Sequence, residues 1–301
     1  MLDDIRRLID RHAQPDLRTP IDGLLLAKVT RAGDEPDYSL ATPLLVVMAQ
    51  GGKRLLVGDQ VLEYRSGQCL IVTAEIPVTG NYIDIAEGAP SLSMGLVLRP
   101  AAIAALVLET PMRRRTRSAA TLPAIATGPA EPDLLDAVTR LLRLLDQPDD
   151  AAVLAPLFER EILWRLLTGP HGESVRQIGL PDSDLSHVSR AIGWIRENYA
   201  EPMRVDDLAQ LSAMSSSAFH RHFRAVTAMS PLQFQKRIRL QHARSLLAAH
   251  PGDVAGVGHL VGYESVSQFN REYRRLFGAP PGRDVARLRA ATEPVLTGPL
   301  P

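Results

Sequence analysis

The sequence predicts an α+β fold of two domains, in which a barrel or sandwich of antiparallel strands with flanking helices precedes an all-helical domain. The chain has 301 residues, of which 45% are hydrophobic, and this is enough to form two cores. Between Pro20 and Leu98, short apolar runs alternate with turn residues, whereas residues 186–289 repeat apolar side chains at helical spacing. This change of periodicity separates the two predicted domains.

The strand prediction depends on apolar runs that tight turns separate. The runs cover residues 43–49, 54–57, 69–72 and 92–98. The turn residues between them are Gly51-Gly52, Gly58-Asp59 and Ser66-Gly67. Because short strands joined by tight turns are typical of antiparallel barrels and sandwiches, we expect one of these two architectures.

Helical spacing surrounds this strand-rich region on both sides. It predicts helices at residues 1–12, 101–109, 132–146 and 151–168. The last two could form an antiparallel pair that covers the strands or that makes a dimer contact. Residues 169–184, which are rich in Gly, Pro and polar side chains, are predicted to link the two domains.

Charge is divided unequally along the chain. The formal net charge is zero, but residues 1–189 carry 19 basic and 25 acidic side chains, whereas residues 190–290 carry 15 and 8. The second region therefore has a net charge of +7. A basic domain that follows an acidic one predicts a polyanionic partner for the basic domain.

Cysteine content and hydropathy predict a cytoplasmic protein. Cys69 is the only cysteine, so the chain can form no internal disulfide, which suits a reducing compartment. Residues 1–17 lack a continuous apolar run and are not expected to be a signal peptide. No run of 18 apolar residues is present that could span a membrane.

A repeat at an offset of 50 residues distinguishes the basic region. The segment AFHRHFRAVTAMSP at 218–231 aligns with QFNREYRRLFGAPP at 268–281. A small residue, Ala213 or Gly262, precedes each copy where a turn is expected. Each copy, together with the short helix before it, has the pattern of a helix-turn-helix unit.

The second helix of each unit has an apolar face and a polar face. Aromatic residues four apart are expected to face the core, at Phe219, Phe223, Phe269 and Tyr273. The opposite face carries side chains able to contact DNA, namely Ser217, His220, Arg221, Arg224, Ser267, Asn270, Arg271 and Arg274. One such polar face is usually a solvated surface, but its repetition beside the same aromatic pair favours two DNA-recognition helices.

Residues 231–249 lie between the two copies and are predicted to form one helix that begins at Pro231. Nineteen residues give roughly 28 Å of helix, close to the ~34 Å of one DNA turn. Such a helix could place two recognition helices in successive major grooves on one face of the duplex.

Residues 188–289 resemble the AraC/XylS family of transcription regulators. The similar segments are DDLAQLSAMSSSAFHRHFRAVTAMSPLQFQKRIRLQHARSLL and VGYESVSQFNREYRRLFGAPP. The resemblance implies a seven-helix DNA-binding domain, covering residues 188–290, that controls transcription with RNA polymerase as a partner. It places base-reading positions at Ser216, Ser217, His220, Arg221, Val266, Ser267, Gln268 and Arg271. Candidates for phosphate contacts are Arg224, Lys236, Arg237, Arg274 and Arg275.

Two residues depart from the family pattern. Gly258 stands where the family usually has Ala, and a Gly inside a helix costs about 1 kcal/mol relative to Ala. The second helix-turn-helix unit is therefore expected to be the less stable one. Val266 has no hydrogen-bonding side chain and could contact only a thymine methyl group.

Residues 18–170 resemble the cupin-like sensing domain of many bacterial members of this family. The segment that carries this resemblance is VVMAQGGKRLLVGDQVLEYRSGQCLIVTAEIPVTG. It implies a small organic effector, which we expect inside the barrel against a mostly apolar wall. A second interpretation makes this domain a dimerisation or polymerase-contact module without a ligand.

A cupin-like barrel also raises the alternative of a metal-dependent enzyme fused to a DNA-binding module. Between His12 and His171 the sequence has no histidine, the commonest ligand of first-row metals. We therefore expect no catalytic residues, no metal and no cofactor. Cys69, inside an apolar run, is expected to be a core residue. Four basic residues are predicted to lie in a solvated surface loop: Arg113, Arg114, Arg115 and Arg117. The alternative is that they contact an anionic ligand or DNA.

Overall fold

In the computed structural model, the chain forms two compact domains whose main boundary lies between His187 and Val188. The structure describes residues 1–31, 33, 36–86, 88–109, 121–250 and 252–290. The charge run at Arg113, Arg114, Arg115 and Arg117 lies outside the described residues. The described strands all belong to the N-terminal domain, and the C-terminal domain is helical.

The strands of the N-terminal domain form two antiparallel sheets. They are β1 (Leu24–Val29), β2 (Asp37–Ala41), β3 (Leu44–Gln50), β4 (Gly52–Val57), β5 (Gln60–Arg65), β6 (Gln68–Val72), β7 (Ile76–Ile83), β8 (Ser91–Val97) and β9 (Ile125–Pro129). One sheet has the order β1-β8-β3-β6-β9, and the other has the order β2-β7-β4-β5. The predicted antiparallel architecture is confirmed, and among the described residues no strand pairing joins the two sheets into one closed barrel.

The predicted turns are confirmed by their backbone conformation. Gly51, Gly58 and Gly67 have φ values of 78°, 62° and 82°. Glycine adopts this left-handed region without the steric cost that a Cβ imposes. The turn at Gly58 joins β4 and β5 in a tight hairpin and so sets their register.

Both faces of the five-stranded sheet are buried. On β3, Leu45 and Val47 belong to a core shared with helices, whereas Val46 and Met48 are equally buried on the opposite face. This is why the run at residues 43–49 is continuously apolar and does not alternate with polar side chains.

Helices cover one face of this sheet. They are α1 (Leu2–His12), α2 (Pro100–Glu109), α3 (Pro132–Arg143, followed by a 3₁₀ turn Leu144–Asp146), α4 (Pro148–Thr168) and α5 (Gly172–Ile178). Buried side chains of α1, α3 and α4 share one core with the sheet, including Ile5, Val138 and Ile162. The predicted covering role of α3 and α4 is confirmed, and a dimer contact by the same helices stays a prediction.

Two elements of this domain differ from the sequence predictions. β9 lies at the edge of the five-stranded sheet beside β6, although the sequence pattern predicts strands only up to Leu98. Residues 169–184 were predicted to be a linker, which is wrong for the segment that forms α5. The fully buried Val175 anchors α5 in the core, since a short helix depends on tertiary contacts more than on its own composition.

Residues 184–250 and 252–290 hold seven helices, the number that the family resemblance implies. They are α6 (Asp184–Glu197), α7 (Val205–Leu211), α8 (Ser216–Thr227), α9 (Pro231–Ala249), α10 (Val254–Leu260), α11 (Val266–Phe277) and α12 (Pro281–Ala290). α7 and α8 form the first helix-turn-helix unit, and α10 and α11 form the second. α9 covers the residues predicted for the connecting helix. In the described parts of the chain, no helix combines the length and apolar character needed to cross a membrane.

Candidate nucleic-acid interface

Buried aromatic side chains hold both recognition helices in place. On α8, Phe219 and Phe223 are fully buried, and their ring centroids lie 5.4 Å apart. On α11, Phe269 and Tyr273 are equally buried, with centroids 5.5 Å apart. Such pairs add about 0.5–1.5 kcal/mol to the free energy gained by burial alone. The predicted inward face of each helix is confirmed, and the opposite face is therefore directed outward.

The two helix-turn-helix units also share left-handed backbone positions. Ala213 and Gly262, in the two turns, have φ values of 52° and 88°. Ala228 and Gly278, which follow the two recognition helices, have φ values of 57° and 77°. This conformation costs an L-residue roughly 1–2 kcal/mol and costs glycine very little. The first unit thus carries backbone strain that the second avoids.

The outward face of α8 carries the first set of predicted base-reading residues. The side chains of Ser217, His220 and Arg221 are exposed. Ser216 is exposed as well, but its hydroxyl donates a 2.6 Å hydrogen bond to the carboxylate of Asp206 on α7. Ser216 therefore joins the two helices of the unit, and while it does so its hydroxyl can act toward a base only as an acceptor.

The outward face of α11 repeats this arrangement. Ser267, Gln268 and Arg271 are exposed, whereas Val266 is half-buried at the start of the helix. The amide of Gln268 lies 3.3 Å from a carboxylate oxygen of Glu272. Equivalent positions of α8 and α11 thus present a hydroxyl and a guanidinium to solvent.

The predicted phosphate-contacting residues are not all equally exposed. Three of the arginines are exposed, namely Arg224, Arg274 and Arg275, whereas Arg237 is half-buried. The ammonium of Lys236 donates a 2.8 Å hydrogen bond to Glu272, which also accepts one from the Tyr263 hydroxyl. Burial opposes ionisation of Glu272, but hydrogen bonds from Lys236, Tyr263 and Gln268 outweigh it and lower the pKa of Glu272. Lys236 therefore holds α9 against α11.

A polar stripe on α9 joins the two helix-turn-helix units. The guanidinium of Arg239 donates hydrogen bonds to the carbonyl oxygens of Tyr199 at 2.6 Å, Ala200 at 3.1 Å, Glu201 at 3.0 Å and Gly262 at 2.8 Å. The first three carbonyls precede α7, and the fourth lies in the turn of the second unit. One side chain of the connecting helix thus positions both units.

Two more side chains extend this stripe along α9. The amide of Gln235 donates to the carbonyls of Tyr199 and Glu201 at 3.2 and 2.9 Å. His242 stacks on the Tyr199 ring with centroids 4.2 Å apart. The sequence analysis missed this stripe. Its only signal was three polar side chains at a spacing of 0, 4 and 7 within a predicted helix, Gln235, Arg239 and His242.

A buried ion pair holds the second recognition helix. Arg244 on α9 donates to both carboxylate oxygens of Asp284 on α12, at 2.8 and 3.0 Å. The Tyr273 hydroxyl of α11 donates to the same carboxylate at 2.8 Å. The Asp284 side chain is fully buried, and that of Arg244 is 11% exposed. Three helices therefore meet at one carboxylate behind the outward face of α11.

Gly258, the departure from the family pattern, lies where α10 crosses α11. A Cβ atom at this position would be 3.1 Å from the Phe269 ring, which is a tight contact. The missing side chain therefore allows α10 to approach the buried aromatic pair. Close packing offsets part of the helix-propensity cost, and the lower stability of the second unit stays a prediction.

The N-terminal domain has a core thiol and a surface cleft. Cys69 is 2% exposed, and burial raises the pKa of its thiol to about 11, which confirms the expected core residue. A cleft of about 340 Å³ is lined by charged and polar side chains together with apolar ones, including Glu131, Asp133, Arg165 and His171. Within the described residues, no three His, Cys, Asp or Glu side chains are grouped to hold a metal ion.

Two family models match the chain. Residues 208–287 match a helix-turn-helix domain. Residues 20–174, just over half of the chain, match the N-terminus of AraC-type transcriptional regulators. The chain belongs to the AraC-type transcriptional regulators. This AraC-type regulator therefore combines the N-terminal domain of the family with a helix-turn-helix domain, as the sequence analysis predicts.

Named relatives agree with this assignment. The AraC-type regulator is 26% identical over 156 residues to the HTH-type transcriptional activator RhaS of Escherichia coli O1:K1 / APEC. This match covers 52% of the chain and 55% of RhaS, so the regulator spans about half the length of the curated relatives it matches.

Solved structures of ToxT show a similar fold. ToxT from Vibrio cholerae O395 is 10% identical with a TM-score of 0.53, and the match covers 91% of this chain and 98% of that one. Wild-type ToxT from V. cholerae strain SCE256, bound to an unsaturated fatty acid, is 8% identical with a TM-score of 0.52, over 89% and 96% of the two chains. At these identities the similarity concerns the fold alone.

Proposed function

We propose that this regulator binds an operator of two half-sites in the bacterial cytoplasm, using α8 and α11, and that a small organic effector in its N-terminal domain controls this binding. The observation that carries the DNA-binding part is the equivalence of two 12-residue helices, which bury matching aromatic pairs and expose matching hydroxyl and guanidinium groups. Between them, the 19 residues of α9 provide roughly 28 Å of helix, close to the ~34 Å between successive major grooves.

The proposed roles follow from the exposed chemistry of each helix. Arg221 and Arg271 would read guanine, because a guanidinium matches its O6 and N7 acceptors bidentately. Neighbouring contacts would come from Ser217, His220, Ser267 and Gln268, with Ser216 and Val266 contributing less. Phosphate contacts would come from Arg224, Arg237, Arg274 and Arg275, and from Lys236 where it exchanges Glu272 for a phosphate.

The half-site roles of Arg221 and Arg271 can be tested by substitution. Arg221→Ala and Arg271→Ala are each expected to weaken operator binding by roughly 1–3 kcal/mol and to relax base preference in one half-site only. Fluorescence anisotropy of the full chain, with an operator selected from random DNA and its single-base variants, measures both effects. The matched control is Arg224→Ala, which should weaken cognate and random DNA alike. Equal losses on both DNAs for Arg221→Ala would contradict base reading.

The phosphate contacts predict a steep dependence on salt. Five basic side chains are proposed to contact phosphates: Arg224, Lys236, Arg237, Arg274 and Arg275. Five phosphate contacts would give a slope of about −4.5 in log K against log salt concentration. Anisotropy titrations of the full chain from low to physiological salt measure this slope. Arg274→Ala should reduce its magnitude by about one contact, and a flat response would contradict the proposed interface.

The effector role of the N-terminal domain is supported by its family and by its ToxT-like fold, since one ToxT structure holds a fatty acid. A thermal-shift screen of the full chain against metabolites, followed by operator binding with each hit, tests this role. Effector coupling is expected to change operator affinity by about 1–3 kcal/mol. If no hit alters operator binding, a ligand-free module is the better interpretation.

We also propose a homodimer through the N-terminal domain and a contact with RNA polymerase. Three large apolar side chains of α2 and α4 support the dimer, because Leu108, Val153 and Leu157 are 86%, 69% and 57% exposed. Light scattering of the full chain and of Val153→Glu/Leu157→Glu distinguishes a dimer from a monomer.

A further inference from the structure

The four-stranded sheet of the N-terminal domain contains a buried lysine that forms no ion pair with any acidic residue the structure describes. Lys53 on β4 is 1% exposed, whereas the adjacent Arg54 is exposed on the other face of the sheet. The Lys53 ammonium lies 3.5 Å from the Tyr82 hydroxyl and 4.5 Å from the centre of the Tyr82 ring. Within the described residues, no carboxylate lies within 4 Å of this ammonium.

The strand register places two tyrosines beside this lysine. Lys53 is paired with Tyr64 on β5 and with Tyr82 on β7, so the three residues share one face of the sheet. Tyr64 is fully buried, and its hydroxyl has no hydrogen-bond partner among the residues that the structure describes. Burial and the nearby Tyr82 raise the pKa of Tyr64 well above its ordinary value. The Tyr64 hydroxyl therefore remains protonated and can donate.

A glycine on the neighbouring strand keeps the lysine inside. A Cβ atom at Gly80 on β7 would lie 3.0 Å from Cε of Lys53 and 3.1 Å from Leu55. The lysine stem thus lies across Gly80 and does not extend toward water, as most lysines do. Asp37 on β2, opposite Gly80 in the register, is the acidic position next to this stem.

Among the described residues, the Lys53 ammonium donates only a long hydrogen bond to the Tyr82 hydroxyl, and the Tyr64 hydroxyl donates none, which is unfavourable for folding alone. A buried ammonium without a counter-charge and a buried hydroxyl without an acceptor each destabilise the folded state. The Tyr82 ring compensates part of the charge through a cation–π contact. An anionic ligand with two acceptor oxygens would satisfy both donors at once.

We propose that the N-terminal domain binds a small organic carboxylate against this buried face of the four-stranded sheet, with the Lys53 ammonium and the Tyr64 hydroxyl as its donors. Lys53 and Tyr64 are paired across β4 and β5, so both extend a donor group from the same face of the sheet toward one ligand. The apolar part of the ligand would pack on Leu55 and Val57, which share this face with Lys53. The proposal names the effector class and so rests on the proposed effector function.

Lysine-selective NMR of the full chain tests this proposal. The sequence contains three lysines, Lys28, Lys53 and Lys236, so ¹³C-lysine labelling gives few signals, which single Lys→Met variants assign. The probes are acetate, benzoate and 3-phenylpropionate, each compared with its neutral amide and with sodium chloride at equal ionic strength. We expect at least one carboxylate to shift the Lys53 signal saturably, while its amide does not and the other two lysines stay unchanged.

Two substitutions separate the donors. Lys53→Met is expected to abolish saturable binding of that carboxylate, and Tyr64→Phe is expected to weaken it roughly tenfold or more, since one hydrogen bond to a charged group is lost. Lys28→Met, at an exposed lysine paired with Asp10, is the matched control and should bind as the parent does. No shift of the Lys53 signal with any of the three carboxylates overturns the proposal.

The stability of Lys53→Met provides a second readout. Methionine keeps the length of the stem and removes an unpaired charge, so the unfolding midpoint should equal or exceed that of the parent. A strong decrease would show that the ammonium already has a partner, such as Asp37, and would overturn the proposal. A different outcome is that a neutral metabolite alters operator binding while no carboxylate shifts the Lys53 signal. That outcome would overturn the carboxylate site but would still support effector control of DNA binding.

Discussion

Replacing Asp284 with Asn is expected to lower the free energy of unfolding of the C-terminal domain by about 3–5 kcal/mol, because it removes the carboxylate to which the buried Arg244 guanidinium donates two hydrogen bonds. The Asp284 carboxylate accepts hydrogen bonds from Arg244 and Tyr273, so α9, α11 and α12 all lose a common contact. The affinity for operator DNA should fall with it, since α11 carries one of the two recognition faces.

Tryptophan fluorescence can report this change in the full chain. The sequence has two tryptophans, Trp164 on α4 and Trp194 on α6, so Trp164→Phe leaves a single reporter in the C-terminal domain. Urea unfolding of Asp284→Asn in this background gives the loss in free energy. The matched control is Asp207→Asn, which removes an exposed carboxylate of α7.

A double substitution distinguishes the effect of breaking the ion pair from the effect of changing the side-chain packing. Arg244→Met/Asp284→Leu removes both charges and should recover part of the stability, since a buried pair replaced by apolar side chains is often neutral. An unfolding free energy for Asp284→Asn within about 0.5 kcal/mol of the parent, the range of ordinary surface substitutions, would show that the pair does not hold α12.

Replacing Arg239 with Met should destabilise the C-terminal domain by at least ~3 kcal/mol, because four carbonyl acceptors lose a charged donor at once. Gly262 shows how closely these segments pack, since a Cβ atom there would lie 2.2 Å from the carbonyl oxygen of Ala200. Without Arg239, the turn of the second helix-turn-helix unit is no longer fixed to the segment before α7. Cooperative binding of the two half-sites should weaken more than binding to one.

The Trp194 reporter also measures the stability of Arg239→Met, and anisotropy with one or two half-sites measures the coupling. Arg204→Met, at an exposed arginine before α7, is the control for loss of a positive charge. Arg221→Ala should behave in the opposite way, with weaker operator binding and unchanged unfolding. If Arg239→Met changes affinity for one and two half-sites equally, the polar stripe stabilises the domain without coupling its two units.

The repeat made much of the C-terminal domain predictable from sequence. Phe219 and Phe269 lie 50 residues apart in the same local pattern, and a helix of 3.6 residues per turn determines which side chains share their face. The outward positions of Arg221 and Arg271 follow from that periodicity alone. Helix α9 was equally predictable, since Pro231 begins it and Ser230 and Gln233 form a capping box at its start.

In the N-terminal domain, periodicity predicted strands, turns and most helices, but neither the arrangement of the sheets nor the elements β9 and α5. β9 follows a helix and pairs with β6, and α5 lies in a segment whose composition is typical of a linker. Both are short, so their stability comes from neighbours that local sequence does not reveal. Continuous apolar runs such as residues 43–49 also conceal which side chains face the helices and which face away.

Only the tertiary structure shows which polar side chains stabilise the fold and which ones form the proposed ligand site. Arg239, Arg244 and Lys53 are ordinary charged residues in the sequence, and each is expected at the surface on composition alone. Their environments depend on partners distant in the chain, such as Gly262 and Asp284, or on strand register, as with Tyr64. Local periodicity encodes the face of an element on which a side chain lies. Whether a charge on that face is solvated, paired or buried alone depends on what packs against it, which only the folded chain determines.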